Sequence, residues 1–222
     1  MCKPPRPGTS KTRLASGIGA EAAARLSGAF LRDCAANVED ACRLIALDPV
    51  AFYRPQDGAA ELRAILGPRW SLAYSDGGDL GATMAETLAR LLDGSPNGAM
   101  LTGADMPMMA AEVIAGAAAV LRDGDRSTVV IAPSFDGGYG LIGVKCIAAT
   151  ASLFDAMAWS TAHVFDETLR RAKSAGLKVT VLETQRDIDD VGDLKWLKTV
   201  IHTCPSRAHA TRDALSALYS AG

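Results

Sequence analysis

Along the chain, short apolar runs bounded by turn residues alternate with segments in which apolar residues recur every three or four positions. This alternation predicts strands that are connected by helices. The predicted strands cover residues 43–47, 70–74, 99–102, 128–132, 139–145 and 177–182. The predicted helices cover residues 19–36, 58–66, 79–92, 108–122, 163–175, 190–201 and 206–219. The order indicates an α/β fold, a three-layer sandwich in which helices cover both faces of a mixed, mostly parallel sheet.

The length and composition of the chain limit the number of domains and the classes of partner that we expect. A chain of 222 residues is long enough for one large domain, which we expect over residues 1–204, with a helical tail over 205–222. The net charge of −2 gives no electrostatic reason to expect a nucleic-acid partner. No apolar run approaches the roughly 18 residues of a membrane span. Five scattered cysteines and no apparent signal peptide predict a cytoplasmic protein with reduced thiols.

The first candidate site is residues 3–14, Lys-Pro-Pro-Arg-Pro-Gly-Thr-Ser-Lys-Thr-Arg-Leu. The prolines exclude regular helix, and Gly8 allows the backbone to approach a ligand closely. Free backbone N–H groups beside Lys11 and Arg13 would form a pocket for an anion, which favours a phosphate-binding loop. The alternative is an ordinary basic tail. The spacing of the glycines does not match a Walker P-loop.

Two acidic segments are candidate metal ligands. Asp105 follows a predicted strand, and Asp187 and Asp189 precede the predicted helix at 190–201. Residues spaced by two in an extended segment point the same way, so Asp187 and Asp189 could complete a site with Asp105. Oxygen ligands beside a phosphate favour Mg²⁺ or Mn²⁺. The alternative is that Asp105 caps the helix that follows it, and that Asp189 or Asp190, together with Asp193, caps the helix at 190–201.

Asp136, Gly137 and Gly138 form a glycine-rich segment between two predicted strands. If this segment is functional, its backbone would pass close to a sugar or an acceptor, and Asp136 would bind hydroxyl groups or approach the metal. The alternative is a tight hairpin turn.

Gly78, Asp79 and Gly81 form a second glycine-rich segment. Its glycines would suit a nucleotide base or ribose that lies against the backbone. The alternative is a loop in which Asp79 caps the following helix.

Taken in order, these segments resemble one family, called transferase 1, radical-SAM/selenodomain-associated, of the GT-A-like nucleotide-diphospho-sugar transferases. The Lys-Thr-Arg-Leu element at 11–14 and the Asp-x-Pro element at 105–107 are also similar to 2-phospholactate guanylyltransferase and, more distantly, to molybdenum-cofactor guanylyltransferases. The resemblance covers roughly residues 1–200 and depends on six motifs in the same order. They are Lys3-x-Pro-x-Pro-Gly8-x-x-Lys11-Thr-Arg-Leu14, Gly78-Asp-Leu-Gly81-x-x-Met84, Gly103-x-Asp105-x-Pro107, Asp136-Gly-Gly-Tyr-x-Leu-Ile-Gly143, Trp159-Ser-Thr161 and Asp187-x-Asp189-x-x-x-Asp193-Leu194.

The resemblance implies a GT-A fold and a role for each motif. Lys11 and Arg13 would hold the diphosphate, Asp105 the metal, and Asp187 or Asp189 a second metal contact. Asp136 and Lys11 would be the catalytic residues, and the segment from Asp136 to Tyr139 would border the acceptor. The expected nucleotide contacts are Gly8, Lys11, Arg13, Gly78, Asp79, Gly81, Gly137 and Gly138.

The chain departs from the family pattern at two places. Thr83 stands where the family usually has an arginine before Met84. The family's first strand supplies several apolar residues before the phosphate loop, whereas only Met1 and Cys2 precede Lys3. We therefore expect either a natural start upstream or a first strand reduced to a stub.

Three functions are compatible with these residues. The first is a metal-dependent transferase that passes the glycosyl group of a nucleotide-sugar to a small-molecule acceptor. The second is a nucleotidyltransferase, similar to guanylyltransferases, that uses the same pocket and releases pyrophosphate. The third is a non-catalytic nucleotide-binding protein.

Overall fold

The computed structural model describes residues 2–76 and 78–219. Its helices are α1 (Thr12–Ile18), α2 (Ala20–Leu44), α3 (Ala59–Leu66), α4 (Leu80–Leu92), α5 (Ala111–Asp123), α6 (Ala148–Phe154), α7 (Val164–Ser174), α8 (Val191–Val200) and α9 (His209–Tyr219). Its strands are β1 (Val50–Tyr53), β2 (Ser71–Tyr74), β3 (Ala99–Thr102), β4 (Thr128–Pro133), β5 (Tyr139–Val144) and β6 (Lys178–Val181). Within these ranges, none of the helices is both long and apolar enough to cross a membrane.

The strands form two sheets. The larger has the order β3-β5-β4-β6, and β1 and β2 form a separate parallel pair. In the larger sheet β5 is antiparallel to both of its neighbours, while β6 is parallel to β4. Three of its strands therefore run in one direction, which confirms the predicted mixed, mostly parallel sheet.

Helices cover both faces of the larger sheet, as β4 shows. Successive side chains of a strand point to opposite faces. Val129 and Ile131 pack in one cluster with residues of α4, α6 and α7. Val130 and Ala132 pack in another, with residues of α5. The predicted three-layer arrangement is therefore confirmed.

The predicted strand at residues 43–47 is wrong. The helical pattern continues past residue 36, and α2 ends at Leu44, because Ala41 is buried against the cluster that contains α5. The strand lies later, at Val50–Tyr53. A short apolar run does not distinguish the end of a buried helix from a strand, and the packing decides between them.

Two smaller corrections concern helices. The helix predicted from residue 108 begins at Ala111, because residues 104–109 form bends and turns around Pro107. Helix α6 was not predicted. Its seven residues are too few to show a clear helical period.

The C-terminal helix α9 is attached to α2 by a buried carboxylate. The side chain of Asp33, in α2, accepts hydrogen bonds from the backbone nitrogens of Ala210 (2.9 Å) and Thr211 (2.8 Å). These N–H groups lie in the first turn of α9, where no carbonyl of the helix can accept them. Asp33 is only 5% exposed, so it supplies a cap that water cannot replace.

We expect Asp33→Ala to lower the free energy of unfolding by about 2 kcal/mol, because two buried N–H groups would lose their acceptor. The measurement is urea unfolding. Asp40→Ala is the matched control, since Asp40 lies in the same helix but pairs with Arg43 at the surface. It should change the free energy by less than about 0.5 kcal/mol. Equal losses in the two variants would contradict the role of Asp33.

Candidate functional site

The candidate site lies at one edge of the larger sheet. Asp105 follows β3, Asp136 follows β4, and Asp187 and Asp189 follow β6. These three strands run in the same direction, so their carboxyl ends meet at one edge. The fold thereby collects carboxylates that are up to 84 positions apart in the sequence. This is the edge at which open α/β sheets bind ligands.

Lys11 connects the N-terminal loop to these carboxylates. Its Nζ lies 2.8 Å from Oδ2 of Asp105 and also donates to Oδ1 of Asp189. Burial alone would lower the pKa of Lys11, but the charges of the two carboxylates outweigh it and the pKa lies above its usual value. Lys11 therefore stays a cation. Arg13 lies 3.8 Å from Asp189 and its side chain is 76% exposed, so it remains accessible to a ligand.

Asp187 lies deeper in the same site. Its Oδ1 accepts a hydrogen bond of 2.8 Å from the hydroxyl of Ser134. Burial raises the pKa of Asp187, and the nearby charges of Asp136, Asp105 and Asp189 raise it further, while the Ser134 hydrogen bond opposes them. The site thus has more negative than positive charge.

The carboxylates at this edge could hold a divalent cation by their chemistry, although they are not grouped as a metal site. Within residues 2–76 and 78–219, no three His, Cys, Asp or Glu side chains lie together as metal ligands would, and the Lys11 ammonium lies between Asp105 and Asp189. The ligands are hard oxygens, which Mg²⁺ and Mn²⁺ prefer. A cation near Asp187 would also offset the repulsion that raises its pKa.

Two of the four acids at residues 187–193 are explained by capping. Asp190 accepts from the backbone nitrogen of Asp193, and Asp193 accepts in return from the nitrogen of Asp190, which makes a capping box for α8. This arrangement confirms the capping alternative for those two residues. The side chains of Asp187 and Asp189 bond elsewhere, to Ser134 and Lys11.

The loop before Lys11 is fixed by contacts that the sequence did not reveal. Arg6 makes ion pairs with Asp57 (2.9 Å) and with Glu61 in α3 (2.5 Å). Ser10 donates from its hydroxyl to the carbonyl of Pro4 and accepts from the nitrogen of Arg6. Both partners of Arg6 are more than 50 positions away, so no local pattern indicates them.

The loop turns at Gly8, which is exposed. Gly8 has a φ of +78°, and no atom lies within 4 Å of the place where a side chain would begin. Lys11 also has a positive φ, 47°, which is uncommon for a residue with a side chain. The nitrogens of Thr9 and Ser10 both donate to the carbonyl of Arg6, so these two N–H groups are used inside the loop, and the Lys11 side chain is the part of the loop that reaches the carboxylates.

The turn that carries Asp136 is closely packed. The nitrogen of Gly138 donates to Oδ1 of Asp136 at 2.9 Å. Gly137 has a φ of +88°, and a Cβ there would lie 2.2 Å from the carbonyl oxygen of Ala162. A side chain at position 137 would therefore disturb the contact between this turn and the segment before α7. This packing requirement for glycine does not depend on a ligand.

The Gly78–Gly81 segment begins helix α4. Asp79 accepts a hydrogen bond of 2.8 Å from the nitrogen of Ala82, which confirms the capping alternative for Asp79. Gly81 packs against Trp159, since a Cβ there would lie 2.9 Å from Nε1 of that ring. Gly78 has a φ of +108°. Thr83, which replaces the arginine usual in the family, is buried in α4.

Arg186 is a further residue that the sequence did not single out for the site. Its guanidinium lies over the rings of Phe135 (5.3 Å) and Trp196 (4.8 Å) and makes an ion pair with Asp193 (3.1 Å). Phe135 is 67% exposed, so this stack forms part of the rim beside Asp136 and Asp187.

Comparisons with known proteins agree with this fold. A family model described as "Uncharacterized protein conserved in bacteria (DUF2064)" matches residues 35–161. A curated protein described as phosphoenolpyruvate guanylyltransferase, from Roseiflexus sp. (strain RS-1), is 34% identical over 101 residues. That match covers 45% of this chain and 42% of the relative, so the chain aligns with less than half of the relative's length.

A crystal structure from Desulfovibrio desulfuricans G20, described as a "putative nucleotide-diphospho-sugar transferase", is similar over nearly the whole chain. The TM-score is 0.83 at 30% sequence identity, with 98% of this chain and 93% of that chain covered. The likeness confirms the predicted fold class, and the three comparisons together confirm the resemblance to GT-A-like transferases that are related to guanylyltransferases.

We expect Gly137→Ala to lower the free energy of unfolding by about 1–3 kcal/mol, because the added Cβ would strain a positive φ and meet the Ala162 carbonyl. Gly116→Ala is the matched control. Gly116 lies inside α5 with open space around it, so alanine there should raise the free energy of unfolding by about 0.5–1 kcal/mol. Chemical unfolding of both variants measures the difference, and a stabilised Gly137→Ala variant would contradict the packing argument.

Proposed function

We propose that this chain, which belongs to the family described as "Uncharacterized protein conserved in bacteria (DUF2064)", is a metal-dependent nucleotidyltransferase. The observation that carries the proposal is the position of Lys11. Its ammonium is held by Asp105 and Asp189 at the edge of the sheet where open α/β folds bind ligands. A fixed cation beside clustered carboxylates suits a substrate that brings phosphate groups and a divalent ion.

In the proposed reaction, a phosphate oxygen of the acceptor attacks the α-phosphorus of a nucleoside triphosphate. The bond between the α-phosphorus and the bridging oxygen breaks, and pyrophosphate leaves with the bond's electron pair. Lys11 and Arg13 supply positive charge next to the loop at Gly8, where we place the phosphates that leave. Preorganised charge of this kind stabilises a transition state without reorganisation of water.

Asp105, Asp187 and Asp189 would hold Mg²⁺ or Mn²⁺. Such an ion, when bound, would neutralise phosphate oxygens and help to orient the nucleotide. The hydrogen bond from Ser134 keeps the Asp187 carboxylate directed into the site. Asp136 is fixed at the rim by Gly138, and we assign it to the acceptor side.

The curated relative supports this reaction and suggests its first substrates. Its description names a guanylyl group and phosphoenolpyruvate. GTP is therefore the first nucleotide to test, and phosphoenolpyruvate is the first acceptor.

Glycosyl transfer is the second candidate, since the similar crystal structure is described as a nucleotide-diphospho-sugar transferase. The same loop and cation would bind the diphosphate. An acceptor hydroxyl would attack the anomeric carbon of the sugar, and a nucleoside diphosphate would leave. Thr83 and the short first strand motivated a non-catalytic alternative, which the experiments below also test.

The released product distinguishes the two reactions. The chain is incubated with Mg²⁺ or Mn²⁺, an acceptor panel, and either nucleoside triphosphates or nucleotide-sugars. We expect acceptor-dependent release of pyrophosphate, fastest with GTP. Acceptor-dependent release of a nucleoside diphosphate from a nucleotide-sugar, without pyrophosphate, would favour glycosyl transfer instead. If calorimetry detects no binding of any nucleotide with either metal, both enzymatic proposals are wrong.

We expect Asp105→Asn to weaken Mn²⁺ binding at least tenfold, because an amide replaces a charged oxygen ligand. Electron paramagnetic resonance of bound Mn²⁺ measures this without nucleotide or turnover. Metal-dependent nucleotide binding should fall with it, while the far-UV circular dichroism stays unchanged. Asp123→Asn is the control, since Asp123 pairs with Arg122 at the surface. Unchanged Mn²⁺ binding in Asp105→Asn would overturn the metal assignment.

A further inference from the structure

The two carboxylates that hold Lys11 are brought together by the backbone of their own segments. The nitrogen of Ile188 donates to the carbonyl of Asp105 (3.1 Å), which joins the loop after β3 to the loop after β6. The nitrogen of Asp189 donates to Oδ2 of Asp193 (3.1 Å), which fixes its position before α8. Neither of these bonds involves Lys11. Asp105 and Asp189 are therefore neighbours whether or not the lysine lies between them.

Lys11 comes from a third segment and reaches the carboxylates by its side chain alone. Leu14, three residues later in α1, is fully buried in the cluster that contains Ile188. Because α1 is held by this apolar packing, release of the ammonium needs only a rearrangement of the Lys11 side chain and its own backbone. The φ of Lys11 is positive, 47°, and residues held in such conformations cluster at ligand clamps and switch regions.

The ammonium lies where a divalent cation would find the same ligands. Its partners are Oδ2 of Asp105 (2.8 Å) and Oδ1 of Asp189, and carboxylate oxygens are the ligands that Mg²⁺ and Mn²⁺ prefer. One ammonium balances only one of the two negative charges, whereas a divalent ion balances both. The side chains of Asp105 and Asp189 are 33% and 39% exposed, so an ion can reach them from solvent. Since two cations repel each other at the same oxygens, the lysine and the ion compete.

Displacement by a metal ion alone leaves the lysine without a counter-charge. The Lys11 side chain is only 12% exposed, and an ammonium that is largely removed from water is unfavourable without a partner. A ligand that brings phosphate groups together with the metal removes this penalty, because a phosphate oxygen then pairs with the ammonium while the carboxylates hold the metal. The exchange of partners therefore favours a metal–phosphate complex over either component by itself.

We propose that Lys11 occupies the cation position between Asp105 and Asp189 and moves from there to a phosphate oxygen when a metal–nucleotide complex binds. Lys11 thereby couples the binding of the metal to the binding of the nucleotide. The site binds free Mg²⁺ or Mn²⁺ weakly, and each ligand raises the affinity for the other. This inference rests on the proposed function for the metal and the nucleotide, and it adds that the two enter as one complex.

The first test measures Mn²⁺ binding by electron paramagnetic resonance without nucleotide. We expect Lys11→Met to bind Mn²⁺ at least about tenfold more tightly than the unmodified chain, because the competing cation is gone. Adding Asp105→Asn to this variant should abolish the gain. Lys178→Met is the matched control, since Lys178 also pairs with an aspartate, Asp125, but at the other end of β6. It should change the affinity by less than about twofold.

The second test follows Lys11 itself in the unmodified chain. An acetylating reagent modifies lysine amines that are accessible, and mass spectrometry measures the extent at each position. Saturating Mn²⁺ should increase the labelling of Lys11 at least about fivefold, and GTP added to the Mn²⁺-loaded protein should reduce it again. Lys195, which is exposed in α8, is the internal control and should be labelled equally in all three states.

The possible outcomes separate this inference from the proposed function. Equal Mn²⁺ affinity in Lys11→Met and the unmodified chain, or labelling of Lys11 that Mn²⁺ does not change, would overturn the inference and leave the proposed reaction in place. Labelling that stays high with Mn²⁺ and GTP, when calorimetry shows that GTP binds, would also overturn it. If neither protein binds Mn²⁺, the inference and the metal assignment are both wrong. The reaction itself is tested separately, by pyrophosphate release.

Discussion

The ion pairs of Lys11 with Asp105 and Asp189 hold the candidate site together. The N-terminal loop has little regular structure of its own, and its direction is set by the contacts of its charged residues. Arg6 fixes the outer part of the loop to α3, and Lys11 fixes the inner part to the loops after β3 and β6. A partly buried ammonium between carboxylates loses hydration, so these pairs are retained only where the geometry is good. In the resulting site, the Lys11 ammonium is held at a fixed position.

The sheet determines which carboxylates share that site. β3, β4 and β6 run in one direction, and each delivers its acid at the same edge. The tight turns around them have packing reasons as well. The absence of a side chain at Gly137 leaves room for the Ala162 carbonyl, and the absence of one at Gly81 leaves room for the Trp159 ring. A glycine-rich segment near a ligand site is therefore explained in part by the packing of loops against each other.

The start of the N-terminal loop is attached to the smaller sheet. Cys2 pairs with β1 in the parallel sense, through backbone hydrogen bonds to Phe52 and Arg54. The segment is therefore held at three places: by Cys2 at the smaller sheet, by Arg6 at α3, and by Lys11 at the carboxylates of the larger sheet.

The sequence alone determined the α/β class, the helices and strands with a clear period, and the acids that end strands, because these depend on local patterns. It also offered both capping and metal binding for the acids at 187–193. The structure uses Asp190 and Asp193 for capping, whereas the side chains of Asp187 and Asp189 bond to Ser134 and Lys11. The strand predicted at 43–47 failed because burial of Ala41 extends α2, which is a property of packing. The partners of Arg6, the Arg186 stack and the division of the sheet were decided only by the tertiary structure. They join residues far apart in the chain, and no periodic pattern records such contacts.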